Sequence, residues 1–260
     1  MTVRGILRAL FLAVPACGLA ACAGGAGQRS QDAASAHFRM ATAALQQAGG
    51  IQNEVNRRAA YPELSEAIKL DPKNARYRLT LGTLYLYNQD YPAAERETLR
   101  ALDLDPSLAD ARNNLGRVYF AQGRLSEAAT QFRKALEDLS YPTPESAAYN
   151  LGKVSYQLGD YAAAAEAYER SLAILPNNPD GRFELGMCYA RLGRLVEAER
   201  AFTTALQLRP DSARTRYELG MALFKLGRRG EAAAQFRRVV ELDSAGELGE
   251  QSRTYLKLLK

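Results

Sequence analysis

Five of the Leu-Gly pairs in this chain stand at nearly constant spacing: Leu81-Gly82, Leu115-Gly116, Leu151-Gly152, Leu185-Gly186 and Leu219-Gly220. The steps between copies are 34, 36, 34 and 34 residues. Twelve residues after each glycine stands an alanine (Ala94, Ala128, Ala164, Ala198, Ala232), and three blocks close with Pro106, Pro176 or Pro210. A block of this length has room for two short helices and a turn, and it cannot bury its own apolar face. Neighbouring blocks must therefore stack, which predicts an all-α solenoid whose stability is a sum of unit and interface terms.

The period and its small residues resemble the tetratricopeptide repeat, which implies a right-handed superhelix of helix–turn–helix units that holds peptides and protein partners. In that register the units fall at 75–108, 109–142, 145–178, 179–212 and 213–246. A degenerate copy fits 41–74, making six units within 33–246. It keeps Ala48, Ala60, Leu64, Ala67 and Pro72 but has Gln47-Ala48 in place of Leu-Gly. Gly49 and Gly50 fall inside its expected first helix, at about 1 kcal/mol each relative to alanine, and Tyr61-Pro62 is expected to interrupt its second. In the tail 247–260, Leu248, Tyr255, Leu256 and Leu259 are spaced for an amphipathic helix that caps the last unit.

Within 145–178, Leu151, Gly152 and Ser155 share one face of the first helix. Gly152 lets the second helix approach, with Ala164 as the expected contact and Tyr168 filling the wedge between units. Gly159-Asp160 reads as a C-cap glycine followed by a capping acid, and the same turn recurs at Gly123, Gly193 and Gly227. None of these glycines points to a nucleotide loop. The extra two residues at Leu139–Pro144 read either as a longer turn or as a protruding Tyr141-Pro142 knuckle, with Thr143 as N-cap and Pro144 at the first helical position.

The N-terminus follows another logic. Arg4 and Arg8 precede an apolar run from Ala9 to Ala16, far short of the roughly 20 residues that span a bilayer. Leu19-Ala20-Ala21-Cys22 then resembles a bacterial lipobox, which implies a signal peptide over 1–21 and acylation of Cys22. A plain signal peptide with an incidental cysteine is the alternative. Residues 22–32 read as a flexible tether; nine small residues reach on the order of 17 Å as coil and up to about 30 Å extended. Ala23 replaces the aspartate that similar lipoproteins use as an inner-membrane retention signal, so an outer-membrane location facing the periplasm is expected.

Charge and cysteine usage narrow the function. Lys+Arg 34 against Asp+Glu 29 gives +5, and removal of Arg4 and Arg8 leaves +3. That balance gives no indication of a nucleic-acid partner. Cys17 leaves with the leader and Cys22 is consumed by lipid, so Cys188 stands alone, as a buried inert thiol rather than a nucleophile. With a single histidine, His37, no Ser/His/Asp or Cys/His set can be built. No P-loop, paired zinc cysteines or Gly-rich fingerprint is present, so no enzyme activity, metal, cofactor or small-molecule substrate is expected.

A second stripe on each first helix lies about 115° from the packing face, at 100° per residue. It comprises Leu79-Thr83-Leu86, Asn113-Arg117-Phe120, Tyr149-Lys153-Tyr156, Phe183-Met187-Ala190 and Tyr217-Met221-Phe224. In tetratricopeptide proteins the corresponding set lines the concave groove, where aromatic and methionine side chains suit an amphipathic partner. About half of them are expected to pack between units instead. Asn113, Asn114 and Asn150 are candidate amides for holding a peptide backbone. The lysine–asparagine–arginine set that clamps a C-terminal carboxylate in some relatives is incomplete here.

A lipobox followed by six repeats, with the insertion ahead of Ala147-Ala148-Tyr149-Asn150-Leu151-Gly152, resembles the type IV pilus biogenesis and stability lipoproteins, the PilF/PilW/Tgl-like pilotins. The resemblance implies an outer-membrane scaffold, anchored through acyl chains, that promotes assembly of a secretin. A general envelope adaptor recruiting peptidoglycan enzymes is the alternative. Tyr149, Tyr156, Phe183 and Tyr217 are the expected partner anchors.

Overall fold

The structure, a computed structural model, describes residues 18–259, with side chains from residue 27 onward. Every regular element among the described residues is helical. Six antiparallel pairs follow one another: α1 (Gly18–Leu45) with α2 (Glu54–Leu70), α3 (Ala75–Tyr87) with α4 (Tyr91–Leu104), α5 (Ala109–Ala121) with α6 (Leu125–Glu137), α7 (Pro144–Gln157) with α8 (Tyr161–Ile174), α9 (Pro179–Arg191) with α10 (Leu195–Leu208), and α11 (Ala213–Lys225) with α12 (Arg229–Leu242). A final helix, α13 (Glu247–Leu258), closes the stack. Each pair packs on the next. First helices also touch one another, α3 with α5, α5 with α7 and α9 with α11, and no comparable contact joins consecutive second helices among the described residues. The first helices therefore line the inner face of the solenoid.

Local chemistry accounts for the helix ends. Asn74, Asp90, Asp160, Asn178 and Ser212 each accept a hydrogen bond from a first-turn backbone N–H, satisfying donors the helix cannot. The turns inside units close through Gly123, Gly159, Gly193 and Gly227, all at φ between 74° and 81°. The unit at 75–108 has Gln89 in that place, at φ 63°.

The glycine of each Leu-Gly pair is a packing device, but its partner differs from expectation. A Cβ on Gly186 would lie 2.6 Å from Phe202 Cε1, and one on Gly152 would lie 2.8 Å from Tyr168 Cε1. Gly116 and Gly220 meet Phe132 and Phe236 in the same way. The aromatic residue sixteen positions on, rather than the alanine twelve on, fills the space above the glycine. Tyr168 thus belongs inside its own unit. At Gly82 the partner is Thr98, and the α4 backbone itself comes within 3.3 Å.

Three N-terminal expectations are corrected. Residues 23–31 are not an irregular tether; they lie within α1, which is 28 residues long. Alanines favour the helix, and its body is docked: the Ser30 hydroxyl donates to the Leu70 carbonyl at 2.9 Å, and Ala34 and Ala41 are fully buried. Gly49 and Gly50 are not inside the first α-helix, because α1 ends at Leu45; both adopt positive φ, and Gly50 opens a single 3-10 turn, Gly50–Gln52. Nor does Pro62 interrupt α2, which runs through it with the ring on the exposed side. Of the expected signal peptide over 1–21, residues 1–17 lie outside the described residues and 18–21 fall within α1. No described helix is long and apolar enough to cross a membrane.

The insertion at 139–143 is a longer turn with a buried anchor. Tyr141 is 4% exposed and packs among Ala109, Ala135, Leu136, Ala147 and Ala148, so it is not a protruding knuckle. Thr143 sits at the N-cap without a side-chain cap bond, and Pro144 starts α7.

Arginines in two turns tie consecutive units. Arg124 donates to Glu95 of the preceding unit at 2.9 Å and to Glu127 at 2.8 Å. Arg228 repeats this with Glu199 and Glu231, both at 2.7 Å. The junctions on either side of α7–α8 use other bonds: Asn150 to Asn113, Arg170 to the Leu136 carbonyl, Arg191 to the Tyr156 hydroxyl, and Tyr189 to Glu169.

Candidate protein-binding groove

The inner face is built by one recurring stripe, and the structure sorts its members into three groups. Some are spent on packing. Leu86 is buried against Ala94 and Val118, and Phe183 is 6% exposed with its ring 5.8 Å from Phe202. Asn114 is also buried; its Nδ2 donates to Thr83 Oγ1 at 2.9 Å, and its Oδ1 accepts from Arg117. Phe183 and Asn114 are therefore not available as an anchor and a backbone-holding amide, because Phe202 of the same unit and Thr83 of the preceding unit already engage them.

A second group is covered by α13. Tyr255 lies 6.3 Å from Tyr217 and 5.5 Å from Phe224, ring centre to ring centre. Met221 joins the same cluster, together with Leu256 and Leu259 of the tail. The expected anchor Tyr217 is thus engaged within the chain. Met187 packs half-buried against this cluster from α9.

The third group remains accessible, in the middle of the stack. Tyr149 is half-buried, edge-on to Tyr168 at 5.4 Å, and separates two cavities. One, of about 290 Å³, is lined by Asn113, Arg117, Ser146, Tyr149 and Asn150 among others. The other, of about 200 Å³, lies among Tyr149, Phe183, Glu184, Arg214 and Thr215. Asn150 Nδ2 donates to Asn113 Oδ1 at 3.2 Å, which leaves an N–H of Asn113 and the Asn150 oxygen for a ligand. Tyr156 packs on Tyr161, Leu79 is half-buried on α3, and Phe120 lies beneath Lys153.

Reading the stripe alone missed four charged residues of this face: Arg191, Arg214, Glu184 and Glu218. The signal was present, because Glu184 and Glu218 occupy the repeat position of Asn114 and Asn150. Burial raises both carboxyls above the ordinary carboxylate range, and nearby cations, Arg214 foremost, only partly counter it. Cys188 is fully buried and unpaired, and burial pushes its thiol up to about 12, so it carries no nucleophilic role. The inner face presents amides, cations and aromatic rings, with no cluster of metal-ligating residues among the described residues.

Tetratricopeptide repeats are recognised at residues 79–143, 139–179 and 149–213, and again at 182–245. The chain belongs to the tetratricopeptide repeat family, whose members act as protein-interaction scaffolds. It is related to the type IV pilus assembly protein PilF of Pseudomonas aeruginosa, with 29% identity over 184 residues that make up 71% of each chain. A solved structure of P. aeruginosa PilF superposes with a TM-score of 0.74 at 23% identity, covering 87% of this chain and 99% of that one. The crystal structure of PilW, a widely conserved type IV pilus biogenesis factor, gives 0.66 at 24% identity, covering 86% and 97%. These structural likenesses establish the shared fold.

Proposed function

We propose that this protein is a lipid-anchored scaffold of the outer membrane that promotes secretin assembly for a type IV pilus. The reading is carried by the likeness to PilF, which extends over 71% of the chain, taken together with Cys22 at the end of a lipobox. Acyl chains on Cys22 hold the repeats at the membrane where secretin subunits insert. One chain alone gives marginal binding, about 10⁴ M⁻¹, so two or three are needed for a lasting anchor. The inner face then shields secretin segments that would otherwise pair edge to edge and aggregate.

The test is genetic. A strain lacking the gene is expected to lose secretin multimers and surface pili, and Cys22→Ser is expected to leave an unacylated protein that fails to restore them. Normal multimers and motility in the deletion strain would overturn the pilus reading and leave the general envelope adaptor. A mature protein whose mass lacks acyl groups would remove the anchor.

A further inference from the structure

The turns that join one unit to the next all lie on one edge of the solenoid, because each unit is an antiparallel helix pair. The N-terminal part of α1 leaves the stack on that same edge. Ser30 meets the Leu70 carbonyl at the end of α2, and α1 runs 28 residues where the other first helices run 13 or 14. Cys22 stands eight residues before Ser30 in this helix, about 12 Å further out at 1.5 Å per residue. The edge itself changes character at its centre. At one repeat position in these turns the outer units carry charge, Asp71, Asp105, Arg209 and Asp243, whereas the two central turns carry Leu139 and Leu175. Leu139 is 98% exposed and Leu175 48%, with Ile174 beside it at 47%. Next to Leu139 a cavity of about 570 Å³ opens between consecutive turns, lined by Ser107, Arg112, Lys134, Glu137 and Ser140 among others.

We infer that this turn edge rests on a phospholipid bilayer, with Leu139, Ile174 and Leu175 in the headgroup–acyl boundary and the cavity around a lipid headgroup. The inference rests on the reading of Cys22 as acylated. Three observations choose a lipid surface as the occupant. The helix that carries Cys22 leaves from this edge, so acyl chains there turn the edge, rather than the groove, towards the membrane. A helix continuous with a docked body transmits that orientation, whereas a coil would leave the stack free to rotate. Leucine replaces charge only in the two central turns, and side chains this exposed gain by leaving water. The cavity combines two cations with a carboxylate, which matches a headgroup that joins a phosphate to an ammonium. The inner face then stands beside the bilayer and stays open to solvent.

The experiment uses the full acylated protein, purified from membranes with its mass checked, in vesicles of phosphatidylethanolamine and phosphatidylglycerol. Leu139→Cys carries a fluorescent dye; Cys188 is fully buried and stays unlabelled, and Cys22 is blocked by its acyl chain. Leu158→Cys, in the turn between α7 and α8, puts the same dye on the opposite edge. Nitroxide-bearing lipids are then added to the vesicles. The dye at 139 is expected to be quenched roughly threefold more than the dye at 158, since apolar groups docked on a bilayer enter the headgroup–acyl boundary. Leu175→Cys is a second reporter of the edge and serves if Leu139→Cys unfolds. Equal quenching on the two edges, or stronger quenching at 158, would overturn the inference. A dye at 139 untouched by the nitroxides, with secretin multimers lost in Leu139→Asp, would assign the edge to a protein partner and overturn it as well. Mass and quenching are read separately. A protein without acyl groups removes the anchor, whereas equal quenching in a protein of acylated mass removes the docked edge alone.

Discussion

The Tyr255 ring lies stacked on Phe236, with centroids 5.1 Å apart and planes 13° from parallel. Phe236 fills the space above Gly220, so α13 covers the last unit at the point where a further repeat would otherwise dock. The same ring closes the groove over Tyr217 and Phe224. The accessible inner face therefore ends at the first turn of α11 rather than running the whole length of the stack.

Removing that ring should be felt locally. Tyr255→Ala is expected to destabilise the chain by about 1–3 kcal/mol, since a half-buried aromatic group is lost from a cluster. Dye binding to newly exposed apolar surface should rise with it. A melting curve and dye signal both equal to those of the unaltered protein would mean that α13 does not hold the cap.

Gly186 should not tolerate even a methyl group. A Cβ there falls 2.6 Å from Phe202, a fully buried ring, and Gly186→Ala is expected to cost about 1–3 kcal/mol through overpacking. Gly230→Ala provides the contrast, because nothing lies within 4 Å of its would-be Cβ. Denaturant midpoints of the two variants should separate clearly, the second matching or exceeding the parent.

Gln89 occupies a left-handed turn position that the later units give to glycine. Such a conformation costs an L-residue about 1–2 kcal/mol, partly offset by the greater freedom glycine has when unfolded. Gln89→Gly is thus expected to stabilise by about 0.5–1 kcal/mol, read as a higher denaturant midpoint at unchanged slope.

Glu184 gives a pH signature. Burial raises its carboxyl, Arg214 and Lys153 pull it back, and Asp180 pushes it further up. A carboxyl raised in the folded state stabilises the fold below the unfolded value, and that contribution is lost as pH rises through the folded value. Glu184→Gln should therefore raise the melting temperature at pH 7, with the advantage shrinking towards pH 4. A constant difference across that range would show that the carboxyl is not titrating in the fold.

The sequence allowed the unit boundaries to be read because the period is written by residues with strict local demands. Gly159 must adopt positive φ, Asp160 must cap, and Gly152 must vanish beneath a neighbour. Which neighbour was not legible. Whether Ala164 or Tyr168 lies over Gly152 depends on how two helices cross, and no local pattern encodes that. The same limit hid the burial of Phe183, which shares its repeat position with the accessible Tyr149 but lies against Phe202 and beneath Arg214. Residues 23–31 carry no apolar period at all. Their helix extends outward from a docked body, held where Ser30 meets the end of α2.

The junction bonds also make the solenoid an unevenly sprung object. Arg124 with Glu95 and Arg228 with Glu199 act as ionic struts across the second and the last joints. The two joints flanking α7–α8 have no such strut among the described residues and rely on neutral or singly charged hydrogen bonds and apolar contact. Dissolved ions weaken the struts by screening and barely touch the central joints. Ionic strength would then set how freely the two ends sway while the middle keeps its curvature. The segment that presents Tyr149 is the one whose shape depends least on the salt around it.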